Sequence, residues 1–164
     1  MISVIGGEAC GPEALDIAER VGREIAQRGA TLVCGGRGGV MEAACRGARE
    51  AGGHTIGIMP GRGSDDSPPN AYVEFPIFTG MGFARNVIVV LSADAVIAID
   101  GSYGTLSEIA YALINDLPVV GIDTWDFDYH GFDGQERIVR VTDPAEAAAT
   151  AIELAERRKA TVTE

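Results

Sequence analysis

Two short, unbroken apolar runs, Ala95-Val96-Ile97-Ala98-Ile99 and Pro118-Val119-Val120-Gly121-Ile122, constrain this chain more than any other feature. A strand with one wet face alternates apolar and polar residues. A run without alternation must be covered on both faces, the condition of a strand inside a parallel sheet flanked by helices. Parallel strands need crossovers, and the rest of the sequence supplies them. Strand-like segments near 2–5, 31–34, 54–59, 94–99, 118–122 and 137–141 alternate with helix-like segments near 12–28, 39–51, 82–92, 105–115 and 143–158. Punctuation agrees: Pro12 suits a first helical turn, Gly29 follows the helix end at Gln27-Arg28, and Thr142-Asp143-Pro144 opens the last helix with a cap and a proline. The pattern predicts an α/β fold, a Rossmann-like, three-layer, doubly wound parallel sheet. At 164 residues, 46% of them hydrophobic, the chain is expected to make one single domain, 1–164.

Three of the predicted strand-to-helix turns carry glycine: Gly6-Gly7-Glu8-Ala9-Cys10-Gly11, Gly35-Gly36-Arg37-Gly38-Gly39 and Gly101-Ser102-Tyr103-Gly104-Thr105. In a doubly wound sheet such turns gather at the carboxyl edge, where ligands bind at the switch in strand order. Small residues let backbone N–H groups approach a ligand, and the helix that follows aims its positive end at a bound phosphate. The expected phosphate- and nucleotide-binding set is Gly7, Gly36, Arg37, Gly38, Gly39, Gly101, Ser102, Tyr103, Gly104 and Thr105. The segment Gly61 to Asn70, rich in Gly, Ser, Asp and Pro, reads as a loop, either a lid or a plain connection.

Charge and composition exclude several functions. A formal net charge of −11 repels a nucleic-acid backbone over the whole surface, so no nucleic-acid partner is expected and any phosphate must be held locally. Lys159 is the single lysine among 13 basic residues, and it lies in the polar tail. That removes both the lysine of a phosphate-loop NTPase and the Schiff-base lysine of a pyridoxal-phosphate enzyme. No apolar run approaches the roughly 20 residues of a membrane span, and the Met1 to Ile5 segment reads as a strand rather than a basic leader, so a cytoplasmic protein is expected. Cys10, Cys34 and Cys45 lack metal-type spacing and read as reduced thiols, with Cys10, in a glycine-flanked turn, either reactive or a spectator. The dinucleotide fingerprint is missing, since the first turn has glycines at 6, 7 and 11 and the second strand ends in Cys34-Gly35 rather than an acidic residue. Aligning Asp126, Asp128 and Gly131 with a calcium loop puts Arg137 where the bidentate glutamate belongs, so the acidic stretch from Asp123 to Glu136 reads as a solvated loop. His54 and His130 stand apart from each other and from cysteine, and no metal site is expected.

Taken together, Gly35-Gly36-Arg37-Gly38-Gly39-Val40-Met41, Met81-Gly82-Phe83-Ala84-Arg85-Asn86 and the stretch from Asp100 to Glu108 resemble the Lonely Guy family of cytokinin-activating phosphoribohydrolases. They equally resemble that family's relatives, the molybdenum-cofactor carrier proteins and other Rossmann-like nucleotide-binding proteins, and the similarity spans nearly the whole chain. Of the family motif P-G-G-x-G-T-x-x-E, Gly101, Gly104, Thr105 and Glu108 match, while Asp100 replaces the proline and Ser102 a glycine. A second family motif ends in Arg-Lys and here reads Arg85-Asn86, and these departures look like the carrier branch. Many such proteins carry a lysine decarboxylase label, a chemistry this nearly lysine-free chain does not support.

The resemblance implies one of two functions. The first is hydrolysis of a nucleoside 5′-monophosphate to base and ribose 5-phosphate, with Glu108 stabilising the oxocarbenium-like charge or activating water and Arg85 as the matching cation. The second is non-catalytic carriage of molybdenum cofactor, a pterin with a terminal phosphate, as bound ligand. Neither needs a further cofactor. It also implies a homodimer, to which the apolar face of 87–91 contributes unless that face merely packs on the sheet. Thr105-Leu106-Ser107-Glu108 is at the same time a T-x-x-E capping box, in which Glu108 would only satisfy a backbone N–H. Both roles for Glu108 stand open at this point.

Overall fold

In the computed structural model, residues 1–127 and 137–162 are described. The acidic residues 128–136, including His130, lie outside them. The elements run β1 (Ile2–Gly6), α1 (Pro12–Gln27), β2 (Leu32–Cys34), α2 (Val40–Glu50), β3 (Thr55–Met59), β4 (Phe75–Phe78), a 3-10 turn (Gly82–Arg85), α3 (Asn86–Leu91), β5 (Ala95–Ile99), α4 (Tyr103–Ile114), β6 (Val119–Ile122), β7 (Ile138–Arg140) and α5 (Pro144–Val162).

All seven strands are parallel and lie in the order β4-β3-β2-β1-β5-β6-β7. The order reverses between β1 and β5, whose register pairs Ile2 with Ala95 and Gly6 with Ile99. That reversal opens the crevice at which open α/β sheets bind ligands. Alternate strand residues feed two apolar layers. Ile2, Val4, Ile97 and Ile99 pack under α1, α2 and α5, while Ile5, Val33, Val96 and Ala98 pack under α3 and α4. Every side chain of β5 is buried, as its unbroken apolar run requires.

The layer of α1 and α2 is unusually close. A Cβ on Gly22 would fall 1.9 Å from the Ala44 carbonyl oxygen, and one on Gly47 would fall 1.9 Å from that of Glu19. Each helix therefore lays a glycine directly on the other's backbone. On the opposite layer the long helix expected over 82–92 is broken: Gly82, at φ 55°, starts a 3-10 turn, and α3 proper spans only Asn86–Leu91. Within it Val89 and Val90 are buried against the sheet while Leu91 is half exposed.

Strand β4 is an addition to the expected set. It follows β3 without an intervening helix, through residues 60–74. Among the described residues no helix is long and apolar enough to cross a membrane.

Candidate active site

The chain leaves β5 at Ile99 and turns through Asp100, at φ 50°, and Gly101, at φ 127°, before Ser102 takes the extended N-cap position of α4. A Cβ on Gly101 would stand 2.6 Å from the Thr105 side chain, so the turn admits only glycine there. From the β6 side, Thr124 Oγ1 donates to the Asp100 carbonyl at 2.6 Å and Trp125 Nε1 to the Ser102 carbonyl at 3.1 Å. The first N–H groups of α4 point out of this turn without intrahelical acceptors, at the positive end of a 12-residue helix. Thr105 is buried beside them, and its Oγ1 has no hydrogen-bond partner among the described residues.

The capping box is not formed. Because α4 starts at Tyr103, two residues earlier than expected, Thr105 is its third residue rather than its cap, and Ser102 caps without a side-chain bond. Glu108 is thereby released from the helix end and turned inward, where it is 6% exposed and meets Arg85, also 6% exposed. Arg85 closes the 3-10 turn, and its Nη1 donates to Glu108 Oε1 at 3.3 Å and to Asn86 Oδ1, while Nη2 reaches the Gly35 carbonyl at 3.4 Å. Asn86 in turn donates through Nδ2 to Ser107 Oγ at 2.9 Å and to the Gly104 carbonyl at 3.3 Å. The cluster thus joins the β2 turn, α3 and the first two turns of α4.

Its electrostatics are poised. Burial pushes the Glu108 carboxyl up to about 7, against the opposing pull of Arg85. Burial also lowers Arg85 from its ordinary value, yet a guanidinium starts so far above neutrality that it stays charged. The pair makes one long contact and leaves Arg85 Nε without a partner among the described residues, so hydrogen-bonding capacity remains for a ligand.

Toward β3 the carboxyl edge opens into a cavity of about 570 Å³ lined by Glu8, Arg37, Gly38, Glu42, Pro60 and Asn70 among others. Arg85 and Glu108 are not in its lining; they adjoin it through Gly35 and Gly36. Arg37 is half exposed and pairs with Glu8 at 3.2 Å. Asn70 fixes the far wall, its N–H bonding the Gly36 carbonyl and its Nδ2 the Arg37 carbonyl, each at 2.9 Å. Gly7 and Gly39 join the first two turns, since the Gly7 carbonyl accepts the Val40 N–H at 3.0 Å. Tyr103 is largely exposed, its ring 6.1 Å from that of Trp125.

The expected residues thus fall into two groups, Gly101 to Thr105 with Arg85 and Glu108 around the head of α4, and Gly36 to Gly39 on the cavity side. Sequence reasoning missed Ser107, Asn70 and Glu42 as site residues, left Gly35 out of the site although it stands in a recognised glycine turn, and took Asn86 for a departure from a motif only. Cys10 is partly buried, and burial together with Asp100 raises its thiol, which favours the thiol over the reactive thiolate. Among the described residues no cluster of metal-ligating side chains occurs.

A seven-stranded parallel sheet with helices on both faces, and with a glycine turn and a buried Arg–Glu pair at its switch point, defines a Rossmann-like α/β protein. The chain belongs to the SLOG cluster4 family, whose model matches residues 1–150. It is 34% identical over 120 residues to the cytokinin riboside 5′-monophosphate phosphoribohydrolase of Mycobacterium tuberculosis, a match covering 69% of this chain and 64% of that one. Among solved structures it is similar to the molybdenum cofactor binding protein of Rippkaea orientalis, with 38% identity, a TM-score of 0.83 and coverage of 93% and 94% of the two chains. The molybdenum cofactor carrier protein of Chlamydomonas reinhardtii follows at 35% identity and a TM-score of 0.82, covering 94% and 98%.

Proposed function

We propose that this protein binds a phosphate monoester at the head of α4 and hydrolyses the N-glycosidic bond of a nucleoside 5′-monophosphate, of AMP or cytokinin type, to free base and ribose 5-phosphate. The observation that carries the reading is the buried carboxyl of Glu108, raised to about 7 by burial and one helical turn beyond the Thr105 hydroxyl, which has no partner among the described residues. A phosphate received by the α4 amides and Thr105 Oγ1 sets the ribose toward Glu108. As the C1′–N bond lengthens, positive charge grows on the sugar and the ionised Glu108 stabilises it. Glu108 then takes a proton from the water that adds to C1′, while the bond's electron pair leaves with the base, which that proton finally neutralises. Arg85 keeps the carboxylate ionised and oriented. The reaction needs no metal or cofactor.

A second reading rests on Asn86. Where the hydrolase motif has a lysine, this side chain is neutral and spends its amide on Ser107 and Gly104. Together with the likeness to molybdenum-cofactor-binding proteins, that supports a carrier whose cargo is a phosphate-bearing pterin seated in the same cradle, without catalysis. The test is to incubate the purified protein with a panel of nucleoside 5′-monophosphates, AMP first, and to follow free base by chromatography beside Glu108→Gln. Base release that vanishes in the variant supports the hydrolase. No release from any member, with thermal stabilisation by molybdopterin, supports the carrier.

We further propose a cytoplasmic homodimer with no nucleic-acid partner. Phe83, Leu91, Tyr111 and Ile114 stand exposed on the α3/α4 side, where a second copy would cover them.

A further inference from the structure

Beneath the Gly35–Gly39 turn, Cys34 at the end of β2 and Cys45 on α2 bring their sulfurs to 3.4 Å. Both side chains are fully buried, and the reaction proposed above uses neither. Two thiols in contact within an apolar core are ordinary material; the backbone N–H that one of them receives sets these apart. Cys34 Sγ receives the Gly36 N–H at 3.3 Å and shares a hydrogen bond with the Cys45 sulfur, and it feels the charge of Arg85, which Glu108 opposes. The Cys45 contact and the Gly36 N–H favour the thiolate at Cys34 against the opposing effect of its burial, whereas the Cys34 sulfur and burial hold Cys45 protonated. The pair therefore has an attacking sulfur and a second sulfur that keeps its proton.

We propose that Cys34 and Cys45 form a redox-active pair, oxidised by hydrogen peroxide to an intrachain disulfide that reshapes the Gly35–Gly39 turn. The Cys34 thiolate attacks one peroxide oxygen, the O–O bond breaks, and the departing hydroxide takes up a proton as water, leaving a sulfenic acid. The Cys45 sulfur then attacks the Cys34 sulfur; the S–S bond forms, the S–O bond breaks, and the hydroxyl leaves as a second water with the Cys45 proton. Two thiols lose two electrons, and one peroxide becomes two waters.

A disulfide holds its sulfurs about 2.05 Å apart, so the two must approach by more than about 1 Å. Strand β2 is fixed between β1 and β3, and α2 is fixed by its glycine contacts with α1. The Cys34 sulfur must therefore move by rotation of its side chain, and that motion reaches residues 35–39 through the bond it receives from Gly36. There the Gly36 N–H loses its sulfur acceptor, and the Gly35 carbonyl that receives Arg85 moves with it.

The test uses the full, reduced chain treated with one equivalent of hydrogen peroxide, alkylated in denaturant and digested with trypsin, which separates Cys34 from Cys45 by cleaving after Arg37. The expected product is a cross-linked peptide pair that dithiothreitol dissolves, with Cys10 alkylated throughout. Hydrogen exchange of the oxidised chain is expected to show loss of protection across residues 35–40. In Cys45→Ser, dimedone should label Cys34; the wild-type peptide map decides the matter if that variant does not fold. Full alkylation of both thiols, or an unlinked sulfinic acid at Cys34, would overturn the pair, and unchanged exchange across the turn would overturn its coupling to the site.

Discussion

Arg85 Nη1 lies 3.3 Å from Glu108 Oε1, and both side chains are withdrawn from water although their segments precede and follow β5 in the chain. Solvent therefore screens the pair weakly, and the permanent charge of Arg85 opposes the burial that raises the Glu108 carboxyl.

Replacing Glu108 with Gln keeps the shape and removes the titrating oxygen. Base release is expected to fall on the order of 10²- to 10⁴-fold, measured as kcat/KM for AMP at pH 8. Melting temperature at that pH should hold or rise, because the variant no longer buries an ionised carboxylate. Loss of activity together with loss of fold would instead mark Glu108 as structural.

The pH dependence follows with opposite signs for stability and rate. The folded carboxyl titrates near 7 against an ordinary 4.5, so between those values the folded chain keeps a proton that the unfolded chain has released. Stability from this group is complete below about pH 4.5 and is lost as pH climbs through about 7. The melting temperature of the wild type relative to Glu108→Gln should decline across that window, while kcat/KM should climb through pH 7 as the carboxylate forms.

Arg85→Ala leaves Glu108 buried without its cation. The expected cost is about 3–5 kcal/mol at pH 8 by urea titration, shrinking at pH 5 where Glu108 is protonated. Arg85→Lys should recover part of this, since an ammonium restores the charge but not the second arm toward Gly35.

Thr105→Val removes a buried hydroxyl that has no partner among the described residues. The unliganded protein should be as stable as wild type or more so by up to about 1 kcal/mol, while AMP binding, followed by calorimetry, weakens about tenfold. A drop in stability without a change in affinity would remove Thr105 from the phosphate cradle.

Glutamate at both Leu91 and Ile114 places charge on the exposed apolar side of α3 and α4. Sedimentation velocity is expected to show a dimer for the wild type, as proposed, and a monomer for the double variant.

Much of this architecture is legible in the sequence because β5 and β6 have no polar residue to turn outward, which forces a covered parallel sheet. Strand β4 was not, because Pro76 interrupts its run and Phe75 and Ile77 face outward at the edge, so neither burial nor alternation marks it. The capping box misled for a physical reason: Ser102 and Thr105 are both good N-caps, and the choice between them is made by the left-handed turn at Asp100 and Gly101, a backbone conformation that residue types alone do not dictate. Arg85 and Glu108 were readable through a family motif. The acidic and amide lining of the cavity was not, since Glu8, Glu42 and Asn70 arrive from the loop after β1, from α2 and from the 60–74 crossover and meet only in space.

The glycine contacts between α1 and α2 also have a mechanical meaning. With Gly22 seated on the backbone at Ala44 and Gly47 on that at Glu19, neither helix can slide or roll against the other. The turns that lead into them, Gly6–Gly11 and Gly35–Gly39, are thus mounted on one plate and keep a fixed spacing. Opening the crevice to admit a ligand falls to its other borders, the helix-free crossover at 60–74 and the broken helix that begins at Gly82.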